Sequence, residues 1–113
     1  MTVRIVKHEL ESKLESRTGG RFSKPNGKLE RKTYDDFGER LKIVLRNLRV
    51  PDNSIAVVTV DDVEIARFPV HGGTGRFDKE SRDSCAFVPM EAGQNIEVKV
   101  DAALVLTGKL CVD

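Results

Sequence analysis

Apolar and charged residues alternate strictly near the C-terminus of the chain. Between residues 96 and 101 the even positions are Ile, Val and Val, and the odd positions are Glu, Lys and Asp. A period of two with one apolar face is typical of a half-buried β-strand. A second apolar run follows Asp101 and Ala102, so the two runs predict a tight hairpin. Gly108 inside the second run predicts a bulge or a bend.

The middle of the chain predicts three more strands. Residues 40–46 carry an apolar side chain at every odd position. Residues 55–60, IAVVTV, are mostly β-branched and nearly all apolar, which predicts a strand buried on both faces. Asp61-Asp62 predicts a two-residue turn into a return strand over residues 63–70. Because Pro69 has no N–H to donate, that strand is predicted to end there or to lie at a sheet edge.

The N-terminal stretch KHELESKLES, residues 7–16, allows two structures. It consists of good helix formers, and Leu10 and Leu14 are four residues apart. However, charged residues occupy all five odd positions from 7 to 15. On a helix these charges would surround the axis, whereas on a strand they form one solvated face. The alternation therefore predicts a strand.

Two glycine-rich stretches resemble each other: TGGRFSK at residues 18–24 and HGGTGRFDKES at residues 71–81. A phosphate-binding loop needs a helix after its glycines, and neither copy is followed by helical periodicity or by a GK[ST] motif. We therefore interpret both as turns that enter a strand, with the arginine of each copy outward and the phenylalanine toward the core. Asn26-Gly27 predicts a further hairpin turn, followed by a strand over residues 28–34.

Together these patterns predict an all-β fold, an antiparallel β-sandwich or flattened barrel of about seven to nine short strands. The length of 113 residues predicts a single domain spanning residues 1–113. Only 5% of residues are aromatic, so the core is predicted to be aliphatic. Neither a signal peptide nor an apolar run of membrane-spanning length is evident, and we therefore expect a cytoplasmic, soluble protein.

Charge is distributed unevenly along the chain. Residues 1–50 contain thirteen Lys and Arg against seven Asp and Glu, a net charge of +6, whereas residues 51–113 have a net charge of −5. Such asymmetry is compatible with an anionic partner. It is equally compatible with neighbouring strands that complement each other in the fold, which is the interpretation we favour. The candidate polyanion-binding residues are Arg17, Arg21, Lys24, Lys28, Arg31 and Lys32.

The sequence contains no signature of catalysis or of metal binding. His8 and His71 are isolated, and none of the common hydrolase or protease motifs is present. Cys85 and Cys111 are too few for a disulfide framework and are predicted to be buried or half-buried free thiols. The acidic residues at 61, 62 and 64 lack the spacing of a calcium loop and are predicted to form a solvated turn. We therefore expect no enzymatic activity, no cofactor and no metal.

Five stretches between residues 41 and 110 carry a resemblance: LKIVLRNLRVP, VVTVDDVEIARFPV, GGTGRF, VPMEAGQNIEVKV and LVLTGKL. Together they resemble a β-rich module of uncharacterised bacterial proteins, planctomycete ones among them, which sometimes occurs in tandem. This chain has Asp61-Asp62-Val63 where that family usually has Asp-Gly-Val, and Thr107-Gly108 where it has Ser-Gly. The matching motifs are turns and core positions, so the resemblance implies a β-rich fold and no catalytic residue.

From the sequence we expect a non-catalytic structural or protein-interaction module that can associate with itself. Short edge strands would allow a partner to add a strand to the sheet. The alternative is polyanion binding, to nucleic acid or an anionic surface, through the basic segment 17–32. Phe22 is the one aromatic residue in that segment, so stacking on bases would be weak.

Overall fold

The computed structural model describes residues 6–16, 25–34, 38–81 and 90–112, which form β-strands and no helix. The predominance of strands confirms the all-β prediction. None of the described residues forms a helix long and apolar enough to cross a membrane. In chain order the strands are β1 (Val6–Glu15), β2 (Asn26–Tyr34), β3 (Glu39–Arg46), β4 (Ser54–Val60), β5 (Val63–His71), β6 (Thr74–Ser81), β7 (Asn95–Val100), β8 (Ala103–Lys109) and β9 (Cys111–Val112).

The strands form a closed antiparallel barrel. The order around it is β2-β3-β6-β5-β4-β7-β8-β1, and β1 pairs again with β2 to complete a ring of eight strands. The short strand β9 pairs with β1 through Leu10↔Val112 and Glu11↔Cys111. This architecture agrees with the predicted sandwich or flattened barrel of seven to nine strands. Closure removes most of the free sheet edges that an open sandwich would offer to a partner.

The ambiguous N-terminal stretch forms a strand. In β1 the even-numbered residues Leu10, Ser12 and Leu14 are buried, while Lys13 and Glu15 are exposed. The first glycine-rich stretch, residues 18–24, lies outside the described residues. The second forms a turn, with Gly72 and Gly73 at positive φ, and enters β6.

A single aliphatic core fills the barrel. Its members alternate along the strands with exposed or half-exposed residues, because each strand of a barrel has one inner face. The prediction that residues 55–60 are buried on both faces was wrong for this reason. In β4 the side chains at 56, 58 and 60 are buried, but Ile55 is 39% exposed and Val57 is half-buried. The fully buried side chains include Leu29, Leu41, Ile43, Leu45, Val58, Val70, Ile96, Val98 and Leu106.

The junction of β5 and β6 is one of two weakly paired places in the ring; the other is between β1 and β8, which pair only through Glu15↔Thr107. The β5–β6 ladder contains only Val70↔Gly75 and His71↔Thr74, next to the turn. Pro69 comes directly before Val70 on β5. Because proline has no N–H to donate, it does not extend the β5–β6 ladder beyond Val70, which accounts for the short ladder. The strand itself continues through Pro69 to His71, so Pro69 marks an edge and does not end the strand. Inside the barrel the rings of Phe68 and Phe77 close the gap, with centroids 5.9 Å apart.

Two predictions based on glycine were wrong. Asn26-Gly27 forms the start of β2 and no turn, and a Cβ on Gly27 would lie 2.8 Å from the carbonyl oxygen of Val44. The register shift of β8 lies at Val105, between the pairs Val98↔Leu106 and Lys99↔Leu104. Gly108 instead allows β1 to approach closely, since a Cβ there would lie 2.6 Å from the carbonyl oxygen of Lys13.

Two of the two-residue hairpin turns contain no glycine and still have positive φ at both positions. Asp61 and Asp62 have φ of 46° and 68°, and Asp101 and Ala102 have φ of 51° and 67°. This left-handed geometry is that of the tight hairpin turns that suit the twist of antiparallel strands. Ala102 is the least suitable residue among the four, because alanine has neither the freedom of glycine nor the local hydrogen bonds of aspartate.

We expect Ala102→Gly to raise the free energy of unfolding by about 0.5–1 kcal/mol, because glycine adopts positive φ without strain. Ala103→Gly is the matched control, since Ala103 is also exposed but lies at the start of β8. There glycine should lower stability by about 0.5–1 kcal/mol. Urea denaturation of both variants measures the difference. If both substitutions raised, or both lowered, the free energy of unfolding, the left-handed conformation of Ala102 would be contradicted.

Candidate binding surfaces

The outer face of β1, β2, β3 and β6 is covered by charged side chains in register. One row across the strands consists of Glu11, Glu30, Lys42 and Asp78, which are consecutive cross-strand partners. Opposite charges on facing strands stabilise a sheet, and like charges destabilise it. The register therefore places charged residues that are far apart in the sequence next to one another on the sheet.

Most of these neighbours are ion pairs formed within the first 50 residues. Lys28 Nζ lies 2.9 Å from Glu30 Oε1 and 3.5 Å from Glu11 Oε2, and Lys32 lies 4.0 Å from Glu9. The hydrogen bond from Lys28 lowers the pKa of the Glu30 carboxyl, and the same hydrogen bond raises the pKa of Lys28. Carboxylates of β1 and β2 therefore compensate Lys28 and Lys32, but these pairs lie within the basic half of the chain and do not offset its net positive charge.

Within the described part of the chain, one ion pair connects the basic and the acidic half. Arg40 on β3 donates two hydrogen bonds to Asp78 on β6, Nε to Oδ1 at 2.9 Å and Nη2 to Oδ2 at 2.7 Å. This bidentate hydrogen bonding raises the pKa of Arg40 and lowers that of Asp78. Asp78 is hydrogen-bonded to Arg40, and Lys42 and Arg76 lie near enough to lower the pKa of its carboxyl further without forming an ion pair with it.

The structure separates the six residues of the predicted polyanion site. Arg17, Arg21 and Lys24 lie outside the described residues. Lys28 and Lys32 are on the outer face in the ion pairs given above. Arg31 points into the barrel, where its Nη2 lies 2.7 Å from Glu39 Oε1, and the two side chains are only 10% and 4% exposed. Arg31 is thus bound internally, and the described part of the segment does not form one basic surface.

A different set of cations does converge. A hollow of about 340 Å³ lies on the outer face of β2, β3 and β6, with Gly27 and Val44 among its lining residues. Of the described residues that line it, Glu30 alone is acidic, which leaves a net charge of +3. We call this surface the basic hollow, and its cations are Lys28, Lys42, Arg46 and Arg76.

Three cations of the basic hollow are not neutralised. Lys42, Arg46 and Arg76 form no ion pair with any described residue, and Arg46 and Arg76 are exposed. Sequence reasoning missed all three, although each falls on the outward position of its strand. They belong together only through the pairings Val44↔Arg76 and Asn26↔Arg46, which the sequence alone does not define.

A second, larger concave surface carries the opposite charge. A groove of about 1230 Å³ runs along β1 and β8 to the turn between β4 and β5 and the start of β7. Two cations, Lys13 and Lys109, also line it, so its net charge is −3. Asp61 has a structural role as well, because its Oδ1 accepts a hydrogen bond from the backbone N–H of Asn95 at 2.9 Å. We call this surface the acidic groove, and its carboxylates are Glu11, Glu15, Asp61, Asp62 and Glu97.

Two acidic clusters bear on metal binding. Carboxylate oxygens of Glu9, Glu11 and Glu30 lie within 4.8 Å of one another. Lys28 and Lys32 already form ion pairs with all three glutamates, so this cluster is compensated by the protein itself. In the second cluster, at residues 61–64, Glu64 Oε1 lies 2.7 Å from Arg67 Nη2. All three acidic residues of this cluster are exposed, which agrees with the predicted solvated turn.

Among the described residues, the histidine and cysteine side chains do not lie together: Cys111 lines the acidic groove, and His71 lines neither surface. His71 is exposed beside the turn at Gly72, as predicted. The side chain of His8 and the whole of Cys85 lie outside the described residues. Cys111 is a free thiol but is exposed, so the prediction of a buried or half-buried thiol was wrong for it. Its position on the outward face of β9, opposite Glu11, explains the exposure.

The basic hollow and the acidic groove are therefore the two surfaces on which a functional interpretation can be built. The resemblance of residues 41–110 to a bacterial β-rich module stays a prediction. No protein-family model matches this chain, and no curated protein and no solved structure was found to be similar to it.

Proposed function

We propose that this protein is a non-catalytic binding module that recognises an acidic partner protein through the basic hollow. The observation that carries the proposal is the convergence of Lys42, Arg46 and Arg76 without an ion pair to any described residue. The fourth cation of the hollow, Lys28, and the neighbouring Lys32 and Arg40 are instead paired with carboxylates. A local excess of charge on an otherwise balanced face is the pattern of an electrostatic recognition surface.

The architecture supports binding on the outer surface of the barrel. The interior is filled mainly by aliphatic side chains, and the ring of eight strands is closed. A partner therefore cannot enter the barrel, and strand addition is limited to the stretches where β5 and β6, or β1 and β8, are not paired with each other. The basic hollow also has a hydrophobic component, Val44, which is half-buried between the cations. Polar groups around an apolar centre are typical of protein-binding surfaces.

The titration behaviour supports a non-catalytic role. Among the described residues, every group with a resolved pKa shift belongs to an ion pair on the outer surface. Catalytic acids and bases are instead perturbed by burial and by like charges in a cleft.

Polyanion binding is the alternative, because the basic hollow could also neutralise phosphate groups. Two features favour a protein. The described lining of the hollow contains no aromatic residue on which a base could stack. Nucleic-acid-binding surfaces are usually basic over a longer stripe.

The experiment compares binding of a glutamate-rich peptide and of a DNA oligonucleotide by fluorescence anisotropy. The test variant is Arg46→Glu/Arg76→Glu, and the control is Lys79→Glu/Lys99→Glu, which changes the net charge equally outside the hollow. We expect saturable peptide binding by the wild type and the control, weakened at least about tenfold in the test variant. Equal peptide binding by both variants, or none by the wild type, would overturn the proposal.

Salt dependence separates the two partner classes. Binding to DNA that exceeds peptide binding and falls steeply with salt would support the polyanion alternative, since each phosphate contact releases counterions. In that case Arg21→Glu/Lys24→Glu/Lys28→Glu should also abolish heparin retention while the protein stays folded. We expect instead no retention at physiological salt for the wild type.

A further inference from the structure

We propose that the acidic partner is a second copy of this chain, and that the basic hollow of one copy docks on the acidic groove of the next. This inference rests on the proposed function, because it names the partner of the same surface. It also assigns a role to the acidic groove, which has none otherwise.

The first argument is charge complementarity. The basic hollow has a net charge of +3 and the acidic groove of −3, and both are formed by described residues. In the groove, Glu15, Asp62 and Glu97 form no ion pair with any described residue. The charges of the two surfaces are equal and opposite, so each would neutralise the other on docking. The net charge of the whole chain is only +1, so copies of the chain repel one another little.

The second argument is size and side-chain chemistry. The acidic groove, at about 1230 Å³, is more than three times as large as the basic hollow and can accept the region that surrounds the hollow. Arg46, at the end of β3, and Arg76, on β6, are the most exposed cations of that region together with Lys28. A guanidinium group binds carboxylate in a bidentate manner, which gives the contact a defined geometry.

The third argument concerns symmetry. The basic hollow is centred on β3 and the acidic groove on β8, three strands apart around the ring of eight. Between these centres the two surfaces adjoin along β1 and β2, where Lys28 of the hollow lies 3.5 Å from Glu11 of the groove. The proposed contact joins the hollow of one copy to the groove of the next. Association through them is heterologous, so each copy keeps one free surface after the first contact. The expected assembly is an open chain or a closed ring with more than two members.

The experiment measures the weight-average mass by light scattering over a range of protein concentrations. At low salt we expect the mass of the wild type to rise beyond that of a dimer with concentration. At about half-molar salt, where the Debye length is only a few ångströms, it should fall to that of the monomer. The variants Arg46→Glu/Arg76→Glu and Glu15→Lys/Glu97→Lys should each remain monomeric, because each has lost one of the two surfaces.

A mixture of the two variants is the decisive measurement. Each variant retains the surface that the other has lost, so an equimolar mixture should form a one-to-one dimer that does not grow further. Circular dichroism and thermal melting of each variant check that it is folded. The control variant Lys79→Glu/Lys99→Glu should assemble like the wild type.

Three outcomes would overturn the inference: a wild type that is monomeric at low salt, variants that still associate alone, or a mixture that does not dimerise. A wild type that stops at a dimer would overturn the heterologous arrangement. If the wild type is monomeric but still binds the glutamate-rich peptide through Arg46 and Arg76, the proposed function holds and its partner is another protein. If neither binding occurs, both proposals fail.

Discussion

Replacing Val98 by aspartate is expected to unfold most of the protein, whereas Lys99→Asp is expected to be tolerated. Val98 is fully buried, and its cross-strand partners Val58 and Leu106 are equally buried. Val98→Asp removes about 1.5–3 kcal/mol of apolar burial and places an unpaired carboxyl in the core at a cost of several kcal/mol. Because small domains are stable by only about 5–15 kcal/mol, this loss consumes most of the stability.

Lys99 occupies the next position of β7 but faces outward. It is half-exposed, and its partners Val57 and Leu104 are on the outer surface. A carboxyl there stays hydrated, so we expect a loss of less than about 1 kcal/mol, mainly from the lower strand preference of aspartate. Urea denaturation of both variants tests the difference, and Val98→Ala, expected to cost about 1–3 kcal/mol, separates the cavity from the charge. Equal losses for Val98→Asp and Lys99→Asp would mean that the register of β7 is reversed.

The strand pattern was predictable because it depends on local alternation. In β1, β3 and β7 the inward residues are those that a period of two places on one face, so Leu10, Ile43 and Val98 could be assigned to the core from sequence alone. Residues 55–60 show the limit of this reasoning. A run of β-branched residues identifies a strand, but whether its second face is covered depends on the layers around it. In a barrel the outward Ile55 remains exposed.

The binding surfaces were less predictable because they depend on register between distant strands. Arg76 follows Arg46 by 30 residues, and the β3–β6 and β2–β3 pairings bring both to the basic hollow. The sequence indicated an uneven distribution of charge but placed the candidate site in the segment 17–32. Arg31 illustrates the consequence. It follows the inward Leu29 by two residues, so its inward direction was readable, whereas its partner Glu39 depends on how β2 and β3 are connected.

The buried pair of Arg31 and Glu39 provides the second large expected effect. The two side chains are 10% and 4% exposed and are joined at 2.7 Å. Arg31 Nε and Glu39 Oε2 are buried and have no hydrogen-bond partner among the described residues. The pair has therefore lost hydration that its one short contact only partly replaces. Removing a single partner would leave the remaining charge buried without any compensation.

We expect Glu39→Leu and Arg31→Met each to lower the free energy of unfolding by about 3–5 kcal/mol. The double variant, Arg31→Met/Glu39→Leu, should be within about 1 kcal/mol of the wild type or more stable, because both desolvation penalties disappear and the apolar side chains extend the core. The double variant is thus expected to be more stable than either single variant, which requires a large positive coupling in the double-mutant cycle. Urea denaturation of the four proteins measures it, with Lys28→Met/Glu30→Leu as the solvent-exposed comparison, for which coupling below about 1 kcal/mol is expected. Additive losses in the Arg31–Glu39 cycle, or single variants as stable as the wild type, would show that the pair is hydrated and that β2 does not direct Arg31 into the barrel.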